Sequence, residues 1–452
     1  MRASARSRRI EPTKKLILVV IDGLTPSMFE AAVADHAAPT LAFLAAHGRY
    51  RRAVSAFPSL TPVCLSSLAT GSLPDVHEIP HLVWWNRAEQ RLVEYGSSFG
   101  AVRAAGTRRS LQDTVYELNA THLGRRAVTV YEALEDAGLT TAAVNITCYR
   151  GRTPHSPTVP MLTRPAYGPK RFFFYNLFES DVTGAPLAVR NRPAGTIDAY
   201  AEAVGRWLVT RDGFDFLVFY LSDYDYASHA QGPDAAHEAL ARCDAAVGSL
   251  VSAAGGEEDF LERYAVVVCA DHGQTPVAEV ARLGEHVATG RVTGSNRAGM
   301  VYLDGEPRPV AEGLDGAPGV DVVLFREGDE AVARRDGEEL RFERTVEGWT
   351  TTGDASILDQ PNALERSWAA LANPNAGEVI VSAAAGWEFA DLAGRHHAGG
   401  GSHGSLLAGD SEVPMLTVGI DAELASITDV MPASLAHFGV AAPAYARPLA
   451  RA

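Results

Sequence analysis

The chain has 452 residues, 46% apolar and 21% charged, a composition that supports an ordinary globular core. Its formal net charge of −15 argues against association with nucleic-acid polymers or anionic membrane surfaces. Four widely spaced cysteines, Cys64, Cys148, Cys243 and Cys269, form no CxxC pair, which argues against a thiolate zinc site or a disulfide framework.

Arg2, Arg6, Arg8, Arg9, Lys14 and Lys15 stand ahead of an apolar run that is too short for a signal-peptide core. No stretch reaches transmembrane length. The expectation is a cytoplasmic protein with a disordered basic tail over residues 1–13. Residues 16–21 form a β-branched run typical of a strand buried on both faces, and it ends at Asp22-Gly23. A carboxylate there faces the crevice in which open α/β sheets bind ligands. A helix over 39–46 and a strand over 53–57 follow. Next comes Phe57-Pro58-Ser59-Leu60-Thr61-Pro62, which places Thr61 at a helix N-cap with Pro62 as the first helical residue. Residues 74–81 read as a loop, and Trp84 and Trp85 as an exposed pair. Residues 96–126 show little periodicity apart from a helix capped by Ser110.

A helix over 128–137 and a strand over 140–146 restore βα alternation, and residues 149–169 form a long loop of the kind that often carries function. The aromatic run 172–175 and the Trp pair fit the core better than a ligand wall, although either could stack a base. A helix over 196–209 and a strand over 214–221 lead to Asp223, Asp225 and His229. A helix over 235–254 then precedes a strand over 264–270 that ends in Asp271-His272-Gly273. From about residue 276 short strands and hairpins take over. Residues 378–382 are expected to return to the first domain's strands, ahead of the Gly-rich loop around His403, a strand over 413–419 and a helix over 427–438. The plan is α/β: a three-layer sandwich with a mostly parallel central sheet flanked by helices. The expected domains are 14–275 with 376–452, interrupted by a β-rich cap at 276–375.

Asp22, Thr61, Asp225, His229, Asp271, His272 and His403 all fall at strand ends or Gly-rich turns of one sheet edge. This oxygen and nitrogen donor set suits two Zn²⁺ ions and carries more nitrogen than Mg²⁺ favours. On these residues the chain resembles the alkaline phosphatase superfamily, and within it the nucleotide pyrophosphatase/phosphodiesterase-like family. The matching pieces are Val20-Ile21-Asp22-Gly23, Phe57-Pro58 with Thr61, and Thr70-Gly71 with Pro74, His77 and Ile79. Further on are Asp225 with His229, Gly232 and Pro233, then Ala270-Asp271-His272-Gly273 and Ser402-His403-Gly404. They occur in family order over nearly the whole chain.

The resemblance implies that Asp22, Thr61, Asp271 and His272 hold one zinc, and Asp225, His229 and His403 the second. It also implies that Thr61 forms a covalent phosphothreonine. Two ions about 4 Å apart would clamp both apical oxygens of an in-line displacement. Two departures stand out. Where related phosphodiesterases carry an Asn that contacts phosphate, this chain has Leu82, with His81 and Asn86 as nearby substitutes. Asp223 also competes with Asp225, and the spacing to His229 favours Asp225. No Arg follows Thr61, which favours a phosphodiester or nucleotide-like small molecule over a monoester. Phosphonoacetate-type hydrolysis is the alternative, ahead of a phosphomonoesterase and a non-catalytic metal-binding relative. Oligomeric state is not legible.

Overall fold

A computed structural model describes residues 13–158, 163–175, 177–180 and 197–447. All but the last residue of the expected basic tail lies outside them. The central sheet contains β1 (Lys15–Ile21), β2 (Arg49–Val54), β3 (Thr141–Val144), β4 (Arg171–Phe174), β5 (Phe178–Ser180), β6 (Phe216–Leu221), β7 (Tyr264–Cys269) and β8 (Glu412–Val418). Their spatial order is β2-β8-β7-β1-β6-β3-β4-β5. Strands β7, β1, β6, β3 and β4 run parallel, while β8 and β5 are antiparallel to their neighbours.

β1, β6 and β7 are buried almost throughout. That burial explains why they read as continuous apolar runs rather than alternating ones. Register then decides function. Val20 pairs with Tyr220 on one side and Cys269 on the other, so the three strands end level. Asp22, the segment from Ser222 and Asp271 therefore leave the sheet along one edge. Helices Ile197–Thr210 and His237–Ala254 pack against each other and flank the sheet.

The second sheet has seven strands, all antiparallel: Arg291–Ser295, Ala298–Tyr302, Val379–Ala383, Val320–Glu327, Glu330–Arg335, Glu338–Thr345 and Gly348–Gly353, in spatial order. Val379–Ala383 thus corrects one expectation. It is an inner strand of this sheet, between Ala298–Tyr302 and Val320–Glu327, so the expected cap boundary at 375 cuts through the sheet. A short buried run of Val and Ile looks the same in either sheet, and only the pairing tells them apart. Thr275–Ala281 pairs with Gly386–Phe389 and with Gly401–Ser402 in a separate three-stranded sheet that reaches the loop carrying His403 and bridges to the second sheet at Phe389 and Asn296.

Other local readings shift too. Trp84 is buried, in line with the core reading, and Trp85 lies half-buried under the Arg291 guanidinium, so the exposed look of the pair is corrected. Residues 99–122 are helical, running through Phe99–Ala105, Thr107–Gln112 and the π-helical stretch Asp113–His122. Ser98 caps the first of these by accepting the Ala101 N–H, and Ser110 sits inside the second. The long loop carries a small hairpin, Thr153–His155 with Ala166–Gly168. Among the described residues no helix is long and apolar enough to cross a membrane.

Candidate metal centre

Thr61 is the first residue of the helix Thr61–Thr70, which starts one residue earlier than expected, with Leu60 as the N-cap. Leu60 offers no side-chain cap and Thr61 has become a helical residue, so its hydroxyl is not committed to capping. Instead Thr61 Oγ1 lies 3.1 Å from His272 Nε2. The helix's positive end faces the same space.

The three imidazoles share one arrangement. Nδ1 of His229 lies 2.8 Å from the Gly401 carbonyl, Nδ1 of His272 3.0 Å from that of Gly273, and Nδ1 of His403 2.7 Å from that of Ser59. A carbonyl can only accept, so each Nδ1 carries a proton and donates it; in the neutral tautomer, the form that binds a metal, the lone pair is then on Nε2. The Nε2 atoms converge on the carboxylates. His229 Nε2 is 3.3 Å from Asp225, His272 Nε2 is 3.3 Å from Asp22 and 3.5 Å from Asp271, and His403 Nε2 is 3.9 Å from Asp225. The His272 and His403 rings stack at 3.6 Å.

Two triads of ligand atoms, Asp22-Asp271-His272 and Asp225-His272-His403, each fall within 4.8 Å. His229 joins the second through Asp225, one helical turn away on Asp223–Gln231. Asp223, two residues before Asp225, projects from a different side of that helix. Its backbone N–H bonds Asp198, and it does not line the cavity. Gly23 has φ +68°, and a Cβ there would meet the Asp225 carboxylate at 2.9 Å, so the turn after β1 needs glycine for close approach.

The electrostatics fit a cation. Asp22 Oδ1 and Asp271 Oδ2 are fully buried and accept no hydrogen bond, a costly arrangement for carboxylates unless a positive ion completes it. Burial, then the neighbouring Asp271 and Asp225 carboxylates, pushes the Asp22 pKa well up. Burial also raises Asp271, against the opposing pull of His272. For Asp225 burial acts upward too, but His229, with His403 and His272 behind it, holds the carboxyl well below the usual range.

Sequence reading did not find several supporting groups. The Tyr220 hydroxyl donates to Asp22 Oδ2, and Gln274 Nε2 donates to Asp225 Oδ1 at 3.0 Å. His397 stacks on His229 at 4.0 Å and is held through Nδ1 by the buried Glu388 carboxylate, 3.0 Å away. Tyr220 was legible only as a strand residue; its register beside Val20 is what brings it to Asp22.

The cluster opens into a cavity of about 360 Å³ lined by Asp22, Thr61, Asp225, His229 and His403. Its further walls include Pro62, Leu82, Tyr95, Leu118, Tyr175, Asn296 and His397. His81 and Asn86, expected at the substrate, do not line it. Leu82 takes the inward position, and neighbouring side chains in an extended segment point to opposite sides. His81 is buried with Nδ1 accepting the Val83 N–H at 3.1 Å, and Asn86, half-buried, ends the strand Val83–Asn86, where its Oδ1 accepts the Glu89 N–H. Of the aromatic run, Phe172, Phe173 and Phe174 are core, and Tyr175 reaches the cavity.

Comparison with solved structures places this fold beside phosphonoacetate hydrolase from Sinorhizobium meliloti, at 20% identity and TM-score 0.62, covering 94% of this chain and 97% of that one. It also matches murine ectonucleotide pyrophosphatase/phosphodiesterase 5, at 14% identity and TM-score 0.61, covering 97% and 98%. The human form of that protein matches at 14% identity and TM-score 0.61, covering 95% and 96%. Both kinds of neighbour have the alkaline phosphatase superfamily fold. No curated protein sequence matches the chain. Residues 16–406 match the type I phosphodiesterase / nucleotide pyrophosphatase family, and the chain belongs to that family.

Proposed function

We propose that the protein is a two-zinc phosphodiesterase or nucleotide pyrophosphatase that works through a phosphothreonine at Thr61. The observation that carries this reading is the shared arrangement of His229, His272 and His403. Each donates Nδ1–H to a main-chain carbonyl and turns Nε2 toward buried carboxylates around Thr61 Oγ1. Asp22, Asp271 and His272 with Thr61 would hold one zinc, and Asp225, His229 and His403 the other. The ions would supply the positive charge that activates a hydroxyl at neutral pH and offsets the charge of an anionic substrate.

The chain's own groups account for the rest. Thr61 Oγ1 gives up its proton to solvent and attacks phosphorus in line, the leaving oxygen departs with its electron pair and takes a proton from water, and a Thr61 phosphoester forms. Water then attacks the same phosphorus from the opposite side and restores the Thr61 hydroxyl. Tyr220 and Gln274 fix the Asp22 and Asp225 carboxylates, so the donor set is already oriented before substrate arrives. The walls facing the cluster, Pro62, Leu82, Tyr95 and Leu118, are uncharged. They suit the neutral ester group of a singly charged diester better than the carboxylate of a phosphonoacetate.

The test is a substrate panel on the zinc-loaded protein: a nitrophenyl phosphodiester, a nitrophenyl monoester, a dinucleotide and phosphonoacetate. The reading expects the diester or dinucleotide to be turned over fastest. Preferred cleavage of phosphonoacetate would move the function to carbon–phosphorus hydrolysis on the same residues. Turnover of none of the four would favour a metal-binding relative without this activity.

A further inference from the structure

The second sheet sends one side chain directly into the cavity, and its orientation can be worked out from hydrogen bonding alone. Asn296 stands in the two-residue turn between Arg291–Ser295 and Ala298–Tyr302, with Ser295 paired to Ala298 across it. Its φ is +56°, left-handed backbone that Asn tolerates better than most residues. The turn is held from both sides. The Asn296 carbonyl accepts the Phe389 N–H at 2.7 Å, and the Arg297 N–H donates to the His403 carbonyl at 2.9 Å. The side chain is buried, 5% exposed, yet lines the same cavity as Thr61 and His403.

His403 gives its Nδ1 proton to the Ser59 carbonyl, so its Nε2 is an acceptor. The atom of Asn296 that faces Nε2, 3.0 Å away, must therefore be the NH₂ group. The other end agrees, because the Ser295 hydroxyl donates to Asn296 Oδ1 at 3.0 Å. The amide is thus oriented with its NH₂ group, not its oxygen, toward His403. The lone pair it meets on His403 Nε2 is the one a cation would take. With that lone pair occupied, the buried amide NH₂, on the wall of the cavity that also holds Thr61, needs a different acceptor.

We infer that Asn296 is a substrate-binding residue whose Nδ2 donates to a non-bridging oxygen of the phosphoryl group attacked by Thr61. This rests on the proposed function above. A neutral donor stabilises the equatorial oxygens in the transition state without repelling the cations, and its fixed orientation means little reorganisation at the moment of reaction. The donor comes from the second sheet, so that sheet contributes to chemistry rather than only shaping the entrance.

The experiment uses Asn296→Gly, which keeps the left-handed turn while deleting the amide, and Asn296→Asp, which keeps shape but replaces NH₂ by an acceptor. Three quantities are measured on the zinc-loaded full chain: zinc per chain, the Kd for inorganic phosphate by calorimetry, and kcat and KM for a nitrophenyl diester. Wild type and both variants should carry the same zinc. Phosphate binding should weaken about tenfold or more in each variant, and kcat should fall about 100-fold, the usual loss for one oriented donor. Phosphate affinity and kcat within twofold of wild type in Asn296→Gly would overturn the assignment. So would a loss of zinc that accounts for the whole effect, since Asn296 would then only prop His403. If the wild type itself binds neither zinc nor phosphate, the proposed function fails and Asn296 falls with it; a wild type that binds both confines any failure to Asn296.

Discussion

Arg297→Met tests how the protein holds His403 in place. The Arg297 side chain is wholly buried, as is that of Asp410. Arg297 Nη1 donates to both Asp410 oxygens, at 2.9 and 3.1 Å, Nε donates to the Trp387 carbonyl at 2.9 Å, and Nη2 to that of Ala384 at 2.8 Å. Asp410 in turn accepts the Ser405 N–H at 3.0 Å and the Ser405 hydroxyl at 2.6 Å, two residues beyond His403. Methionine fills the stem's space but leaves a buried carboxylate without its countercharge and two carbonyls without donors. Breaking such a pair from one side costs about 3–5 kcal/mol, a large part of a typical total of about 5–15 kcal/mol. Urea unfolding of the metal-free protein reads this directly. The same change should weaken zinc binding about 10–100-fold through the loosened His403 loop, measured by chelator competition. Asp410→Asn in the Arg297→Met background should recover part of the stability by removing the stranded charge. A loss below about 1 kcal/mol, or strictly additive single and double variants, would refute the idea that this pair clamps the loop.

Other outcomes follow from the same geometry. Elemental analysis should find two zinc ions per chain, lost together with activity on chelation and regained on adding zinc back; full turnover with one ion or none would contradict the donor set. Asn86→Ala should leave kcat/KM within about twofold, because Asn86 ends a strand and does not line the cavity. Burial pushes the Glu94 carboxyl up to about 7, despite donors from Ser97 and Gly96. An acid with a raised folded pKa loses stability as pH rises from its unfolded value to its folded one. Unfolding free energy should therefore fall between about pH 4.5 and 7 by a few kcal/mol, and Glu94→Gln should flatten that slope in pH-dependent denaturation.

Strand ends were legible because a buried parallel strand is a continuous apolar run, and a polar residue that breaks it stands at the sheet edge. Asp22, Asp271 and the Asp225–His229 pair were found that way. What sequence could not supply was pairing and direction. Val379–Ala383 could belong to either sheet, since its residues suit both. His81, Leu82 and Asn86 lie within one short segment, and only the strand's phase reveals that Leu82 faces the cavity. Asn296 and His397 come from segments with no recognisable spacing to the site. They reach it through the turn at Ser295–Ala298 and the Glu388 contact, long-range features that leave no local pattern. Thr61 was placed within one residue, and the difference matters, because only a hydroxyl released from capping is available to His272.

Covalent phosphorylation of Thr61 has a stereochemical signature that a diester chiral at phosphorus reads out. Its hydrolysis in isotopically labelled water by the zinc-loaded protein should proceed with overall retention, because two in-line displacements at one phosphorus cancel. Thr61→Ala should abolish that pathway, and Thr61→Ser should preserve it at reduced rate. Inversion of configuration by the wild-type protein would mean that water attacks directly and that Thr61 is not the nucleophile.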